Sequence, residues 1–311
     1  MPPSSPLHKR LVFVTGKGGV GKTTVAAAIG LAGADAGRRT IIAEVAEQER
    51  ITGLFGKPAA GYRETVVADG LSAFSLNPED AKEEWLRDQL KSGRLAGMLG
   101  QSRIFSYLTA AAPGLDELVT LGKIWELAQI ERRNKRDSAF DTCVVDAPAS
   151  GHGVAMLRSP HTYAEIAKVG PVAKHAGYFD QFIRDKRSTA VIAVALAEEM
   201  PVNETIELEQ RLSDEVSVDL AAVVVNAVLP ERYSNAEAEQ LNGLNGQGGP
   251  ATREAVATAL AAHARAKEQR SQIGRLKRAL KAPVVTLPFL LTPEVDVDGL
   301  RELAAELERK L

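Results

Sequence analysis

Short apolar runs punctuate the chain at Leu11 to Thr15, Thr40 to Val45, Leu71 to Leu76, Thr142 to Asp146, Val191 to Leu196, Ala221 to Asn226 and Pro283 to Leu287. Within them apolar residues follow one another instead of alternating with polar ones. That predicts strands buried on both faces, as happens when helices cover both sides of a parallel sheet. Helical patterns separate most of the runs, so the order predicts a doubly wound α/β fold with a mostly parallel sheet of about seven strands and its ligand at their carboxyl ends. No internal repeat appears.

The strand rhythm stops between Asn77 and Phe140, where the sequence reads as helices broken at Ser92-Gly93, Gly100 and Pro113-Gly114. The expectation is a single domain, 1–311, containing a helical subdomain made of residues 77–140 and 154–187. Leu115, Leu118, Gly122, Trp125 and Gln129 fall at helical spacing, with Ile124, Leu127 and Ile130 on an adjoining stripe. A helix apolar over so broad an arc suits core packing or a groove for an apolar protein client. A second variable region, 231–281, begins after Pro230, includes the glycine-rich stretch Gly243 to Pro250, too flexible in composition to hold a packed element, and continues as a polar helix from Thr252 to Lys281. Leu300, Leu303, Ala304, Leu307 and Leu311 predict a last helix docked on the sheet.

Composition removes several classes. With 311 residues, 45% hydrophobic and 25% charged, the chain can bury a large core. Its net charge of -2 argues against a surface built for nucleic acid. The basic cluster Arg132 to Arg136 reads as a solvated helix end. Cys143 is the only cysteine, so no disulfide can form within the chain, and its apolar neighbours predict a small buried hydrophobe. The first residues lack the apolar core of a secretory signal. No run approaches the about 18 apolar residues of a membrane helix, and a cytoplasmic protein without an integral membrane segment is expected.

The chemistry concentrates in Gly16-Lys17-Gly18-Gly19-Val20-Gly21-Lys22-Thr23-Thr24, which follows an apolar strand and precedes an alanine-rich helix. Glycines there let backbone N–H groups turn inward around a polyphosphate. Lys22 stands where a cation meets the β- and γ-phosphates, and Thr23 offers a hydroxyl to Mg²⁺. This predicts a nucleotide-binding protein, an ATPase with ATP and Mg²⁺ as its cofactors. Lys17 is a second cation that the loop's own nucleotide does not need. It is either a solvated loop lysine or a charge meant for a neighbouring subunit.

Further candidates lie at other strand ends. Asp146 closes a buried strand where phosphate-loop enzymes anchor the metal through water. Glu44 closes another and is the candidate for orienting the attacking water; a carboxylate paired with a nearby lysine is the competing reading. Asn226 offers both donor and acceptor to an adenine edge, and Pro288, Phe289 and Leu290 could cover the base. His152 reads as a surface or hydrogen-bonding residue, because no partner histidine stands at i+4.

With both Lys17 and Lys22, the loop is similar to the deviant Walker A motif of SIMIBI-class ATPases, and the whole chain resembles the arsenite-pump and tail-anchored-protein-targeting ATPases, the ArsA-like family. Ala112 to Glu117, Asp146 to His152, Met200 to Thr205 and Val225-Asn226 support the likeness, nearest the bacterial single-domain members. The resemblance implies a homodimer, or a heterodimer with a paralogous ATPase, in which Lys17 reaches the opposite nucleotide. It also implies Thr23 on Mg²⁺, Asp146 on the metal water and Asn226 on adenine. Two departures stand out. Glu44-Val45-Ala46-Glu47 replaces the family's aspartate followed by proline-alanine-histidine, and the Cys-x-x-Cys pair that clamps zinc is absent, so no zinc is expected. The functional expectation is a dimeric ATP-hydrolysing switch that binds a protein client, with a nucleotide-binding scaffold of little turnover as the alternative.

Overall fold

The computed structural model describes residues 5–45, 49–90, 115–129, 139–167, 171–244 and 246–311. After a 3-10 turn at Pro6–His8, the chain runs through β1 (Leu11–Gly16), α1 (Lys22–Asp35), β2 (Thr40–Glu44), α2 (Arg50–Leu54), β3 (Thr65–Ala68), β4 (Leu71–Ser75) and α3 (Pro78–Leu90). It continues through α4 (Leu115–Leu127), β5 (Thr142–Asp146), α5 (Ser150–Ala167), α6 (Pro171–Arg184), β6 (Thr189–Leu196) and α7 (Glu199–Arg211). The last elements are β7 (Leu220–Val228), α8 (Asn235–Gly243), α9 (Pro250–Ala279), β8 (Val284–Pro288) and α10 (Val297–Lys310).

The strands among the described residues join one sheet in the order β3-β4-β2-β5-β1-β6-β7-β8. Every pairing is parallel except that of β3 with β4. The sheet therefore has eight strands, one more than the apolar runs predict. The additional strand is the edge strand β3, whose Val66 is 69% exposed. Its apolar stretch, Val66 to Ala68, is only three residues long, and one of its faces is open. Its signal lies instead in Asp69-Gly70, a two-residue turn with Gly70 at φ +69°, the conformation that closes a tight hairpin.

Alternate residues of the central strands enter opposite cores. Leu11, Phe13, Ile41, Cys143, Val145 and Val223 face a layer that includes α4, α5, α7 and α9. Val12, Val14, Ile42, Val144, Ile192 and Val224 face α1 and α10. Both faces are covered, which is why the runs do not alternate with polar residues. Helix α1 is apolar all round because α10 covers the side turned from the sheet, burying Leu300, Leu303, Ala304 and Leu307. The C-terminal docking expected from the leucine spacing is what the structure contains.

The region entered at Asn77 is helical where it is described, as α3 and α4. The expected breaks at Ser92-Gly93, Gly100 and Pro113-Gly114, together with Ile130 and Arg132 to Arg136, lie outside the described residues. Leu118, Leu121, Ile124 and Leu127 are buried, so these positions of α4 serve as core. Lys123 sits with its ammonium 3.0 Å from Glu84 and 3.3 Å from Glu126, over the rings of Tyr62 and Phe74. That cation fastens α4 to α3 and to the sheet edge. Trp125 meets Phe179 of α6 with ring centroids 5.1 Å apart.

The long polar helix begins at Pro250, two residues before the expected start, because proline suits the first helical turn, and ends at Ala279. If α10 is what allows α1 to be apolar all round, Leu300→Ala should lower unfolding free energy by about 2–5 kcal/mol. The exposed neighbour Glu302→Ala should change it by less than about 0.5 kcal/mol. Urea unfolding of the two variants tests the pair.

Candidate functional site

Strand β1 ends at Gly16 with φ +145°, where a Cβ would stand 2.2 Å from the Val194 carbonyl oxygen on β6. Any side chain would collide with an immovable backbone, so only glycine lets the loop leave the sheet here. The loop passes through the exposed Gly18 and Gly19 and enters α1 at Gly21, a left-handed N-cap with φ +90°. No side chain caps this N-terminus. Its first-turn N–H groups lack helical partners and carry the positive end of the helix dipole, which makes it a site for an anion.

Lys22 is the first residue of that helix, and its ammonium donates to the Lys17 carbonyl across the loop at 2.9 Å. Burial pulls its pKa down and Asp146 pulls it back up. Thr23, next along, donates its hydroxyl to Asp146 Oδ2 at 2.7 Å. Asp146 is 2% exposed, and its other oxygen, Oδ1, is buried with no partner. An orphaned carboxylate oxygen beside a threonine hydroxyl is an oxygen donor set that suits a hard divalent cation such as Mg²⁺. Thr15 Oγ1, at the end of β1, is likewise buried and without a partner.

The parallel register of β2 and β5 sets Glu44 opposite Asp146, so two carboxylates share one strand edge. Glu44 is buried, and its Oε1 and Oε2 accept the backbone N–H groups of Arg50 and Ile51 at 2.8 and 3.2 Å. It caps the start of α2. Burial raises its pKa, while those two N–H groups oppose the rise. No lysine pairs with this carboxylate among its hydrogen bonds; each oxygen takes one backbone N–H and keeps a further acceptor site.

Lys17 turns away from its own loop. Its ammonium pairs with Glu204 on α7 and lies 3.4 Å from Met200 Sδ. The Met200 to Thr205 stretch stands out in the sequence, but nothing in it assigns a role to Glu204. The i, i+4 spacing of Met200 and Glu204 places both on one helix face, and that was the available signal.

Asn226, near the end of β7, donates its Nδ2 to the Val20 carbonyl at 3.1 Å. It occupies the space that a Cβ on Gly21 would take, 2.3 Å from Nδ2. Phe289 is 45% exposed beside β7 and donates its N–H to the Val228 carbonyl at 2.9 Å, with Pro288 ending β8 just before it. Leu290 turns inward against the α10 core instead. His152 is exposed at the start of α5, and Cys143 is buried at 1% exposure in the sheet. Among the described residues no helix is long and apolar enough to cross a membrane, and no group of three or more His, Cys, Asp or Glu could hold a metal ion.

Burial pushes both Asp146 and Glu44 above their ordinary values of 3.8 and 4.5. Each binds its proton more tightly folded than unfolded, so its contribution to stability is greatest below those values and is lost as pH rises through the raised pKa. At neutral pH the Asp146 charge opposes folding. The unfolding free energy of Asp146→Asn minus that of the wild type should therefore grow more positive between pH 4 and pH 7, whatever constant offset the amide introduces. Denaturation across that range checks it, and a flat difference would remove the burial cost.

The family model for anion-transporting ATPases matches residues 9–170 and 164–245, a span that takes in Gly16 to Thr24, Glu44, Asp146, Glu204 and Asn226. The chain is 28% identical over 320 residues to the ATPase BagA of Mycobacterium tuberculosis, covering 97% of this chain and 93% of that protein. It is 26% identical over 275 residues to the ATPase GET3C of Arabidopsis thaliana, covering 73% and 69%. To the ATPase GET3 of Kluyveromyces lactis it is 24% identical over 263 residues, covering 73% and 74%. With its phosphate-loop glycines, its paired lysines and the Thr23–Asp146 bond at the carboxyl edge of the sheet, this chain belongs to the anion-transporting ATPase family.

Proposed function

We propose that the protein is an ATP- and Mg²⁺-dependent molecular switch that works as a dimer and couples its nucleotide state to the binding of a protein client. The observation that carries this reading is the Thr23–Asp146 pair, with its orphaned buried oxygen, set at the uncapped N-terminus of α1. The helix end and Lys22 bind the polyphosphate, while Thr23 and Asp146 hold Mg²⁺ directly or through water. The cation supplies charge neutralisation at the phosphate oxygens. Asn226 would take the base, and the exposed Phe289 would supply apolar cover for it.

Lys17 has the other role. In the single chain Glu204 neutralises it, so it reaches a partner's phosphate only by exchanging that carboxylate for a stronger anion. Client coupling finds its support in α5. The turn from Asp146 to Ser150 leads straight into this helix, and a Cβ at its Gly153 would lie 2.6 Å from Thr15 Oγ1. Movement at the metal edge is therefore passed to α5 and to the α6 helix packed on it, part of the subdomain proposed for 77–140 and 154–187.

A second reading, a nucleotide-binding scaffold or the weakly active half of a heterodimer, is favoured by Glu44. A carboxylate whose oxygens both accept backbone N–H groups is poorly placed to orient water. Turnover of the wild type separates the two, since tight ATP binding with negligible phosphate release favours the scaffold; if the wild type hydrolyses ATP, trapping by Glu44→Gln assigns the water to Glu44, and unchanged turnover leaves Glu44 as the cap of α2.

Lys22→Ala should weaken ATP binding by about tenfold to a hundredfold, the loss of one charge-assisted bond of about 1.5–3 kcal/mol. Lys17→Ala should hold affinity within about twofold yet lower turnover by about 10³-fold, the scale of a cation supplied in trans. Calorimetry and steady-state phosphate release measure these. Light scattering in ADP and in a non-hydrolysable ATP analogue adds the dimer, and equal loss of affinity in both variants would place Lys17 in its own site and end the dimer mechanism.

A further inference from the structure

Near its end β7 departs from regular pairing. Its register with β8 runs Val223 to Val284, Val224 to Val285 and Val225 to Thr286, then resumes at Val228 with Pro288. Three residues of β7 thus answer two of β8, which is a bulge at Asn226–Ala227. Ala227 takes φ +55°, a left-handed conformation that an L-residue with a Cβ adopts only when its surroundings hold it there. Bulges re-aim side chains, and this one turns Asn226 toward the phosphate loop.

Three hydrogen bonds hold the bulge. Phe289 N–H donates to the Val228 carbonyl at 2.9 Å. From the other side Gln269, on α9, accepts the Leu229 N–H at 2.8 Å and donates to the Ala227 carbonyl at 3.4 Å. The same helix fastens the following loop through His263 Nδ1, 3.0 Å from the Tyr233 carbonyl, and through Arg270, 3.1 Å from Glu231. Of these α9 side chains, Gln269 is the one that grips the strained residue.

The consequence concerns which bases fit. Only the nitrogen of the Asn226 amide can donate to the Val20 carbonyl, so that bond fixes the orientation of the amide and leaves Oδ1 as an acceptor. An acceptor there pairs with the exocyclic amino group of adenine and repels the carbonyl oxygen that hypoxanthine carries at the same place. We infer that Gln269 is a positioning residue for nucleobase selection: by clamping the bulge at Ala227 it holds Asn226 in the orientation that favours adenine nucleotides. The inference rests on the nucleotide reading above, but not on hydrolysis, dimer or client.

Titration calorimetry with ATP, ITP and inorganic triphosphate provides the test, on the wild type, Gln269→Met and Gln269→Glu. Methionine keeps the length of the side chain and removes both contacts; glutamate keeps the acceptor for Leu229 and loses the donor to Ala227. The wild type should prefer ATP to ITP. Gln269→Met should cut that preference by about tenfold, the scale of one misplaced hydrogen bond, with triphosphate affinity preserved. Gln269→Glu, which loses one of the two bonds, should give a ratio between those of the wild type and Gln269→Met. An unchanged ATP-to-ITP ratio in Gln269→Met, or parallel weakening of all three ligands, would overturn the inference. Failure of the wild type to bind any of the three ligands would instead remove the nucleotide reading itself. Should Gln269→Met not fold, Gln269→Glu decides through the same ratio, with a value equal to the wild type's counting against the 3.4 Å bond and an intermediate value supporting it.

Discussion

The bond from Thr23 to Asp146 ties the first turn of α1 to the end of β5, and most of the molecule is arranged so that this bond can form. Asp146 reaches the edge only because β5 is the neighbour of β1 in a parallel sheet, with Val14 opposite it in register. Thr23 reaches it only because the loop from Gly16 to Gly21 turns α1 back over that edge. A parallel sheet needs cover on both faces. Helix α1 supplies it on one face and so becomes buried all round, which in turn requires α10. The dependence runs from a site bond to a C-terminal helix about 280 residues away in the chain, through packing alone.

Two acids sit side by side at this edge, and each faces the start of a helix. Asp146 meets the first turn of α1 through Thr23. Glu44 caps α2 by accepting from Arg50 and Ile51. The helix N-termini offset part of the cost of burying negative charge, since their free N–H groups supply partial positive charge where water is excluded. The compensation is incomplete. Burial remains the largest influence on both carboxyls and on Lys22, and Asp146 Oδ1 has no donor at all. Such an arrangement gives up stability in the free protein, the cost that the proposed cation site carries.

How much of this could be read in the sequence depended on whether the signal was local. The central strands show as continuous apolar runs because burial on both faces demands it, and the phosphate loop shows because its glycines and lysines are consecutive. Edge strand β3 escaped that criterion: its apolar stretch is only three residues, Val66 to Ala68, with Val66 in solvent, and the clearer signal is the Asp69-Gly70 turn that follows. Glu204 could not be assigned to Lys17, since nothing local records a pairing across 187 positions. The cap made by Glu44 was equally hidden, because its partners are backbone groups that exist as donors only once α2 has formed. Gln269 looked like one polar residue among many on a polar helix.

These last contacts form a connected set. Lys17 pairs with Glu204 on α7; the adjacent Asn203 accepts from Arg275 on α9; and Gln269, almost two turns back along α9, holds the bulge that aims Asn226. Contact alone does not make a coupling, which needs an element with two arrangements that both ends bias. On the proposed reading Lys17 is that element. Bound to Glu204 it is silent, and moved to a partner's phosphate it leaves an unpaired carboxylate beside Asn203, on the helix that α9 grips. The base and the second subunit would then act on one framework from opposite ends. The lysine that seemed superfluous to its own loop is the residue through which they would meet.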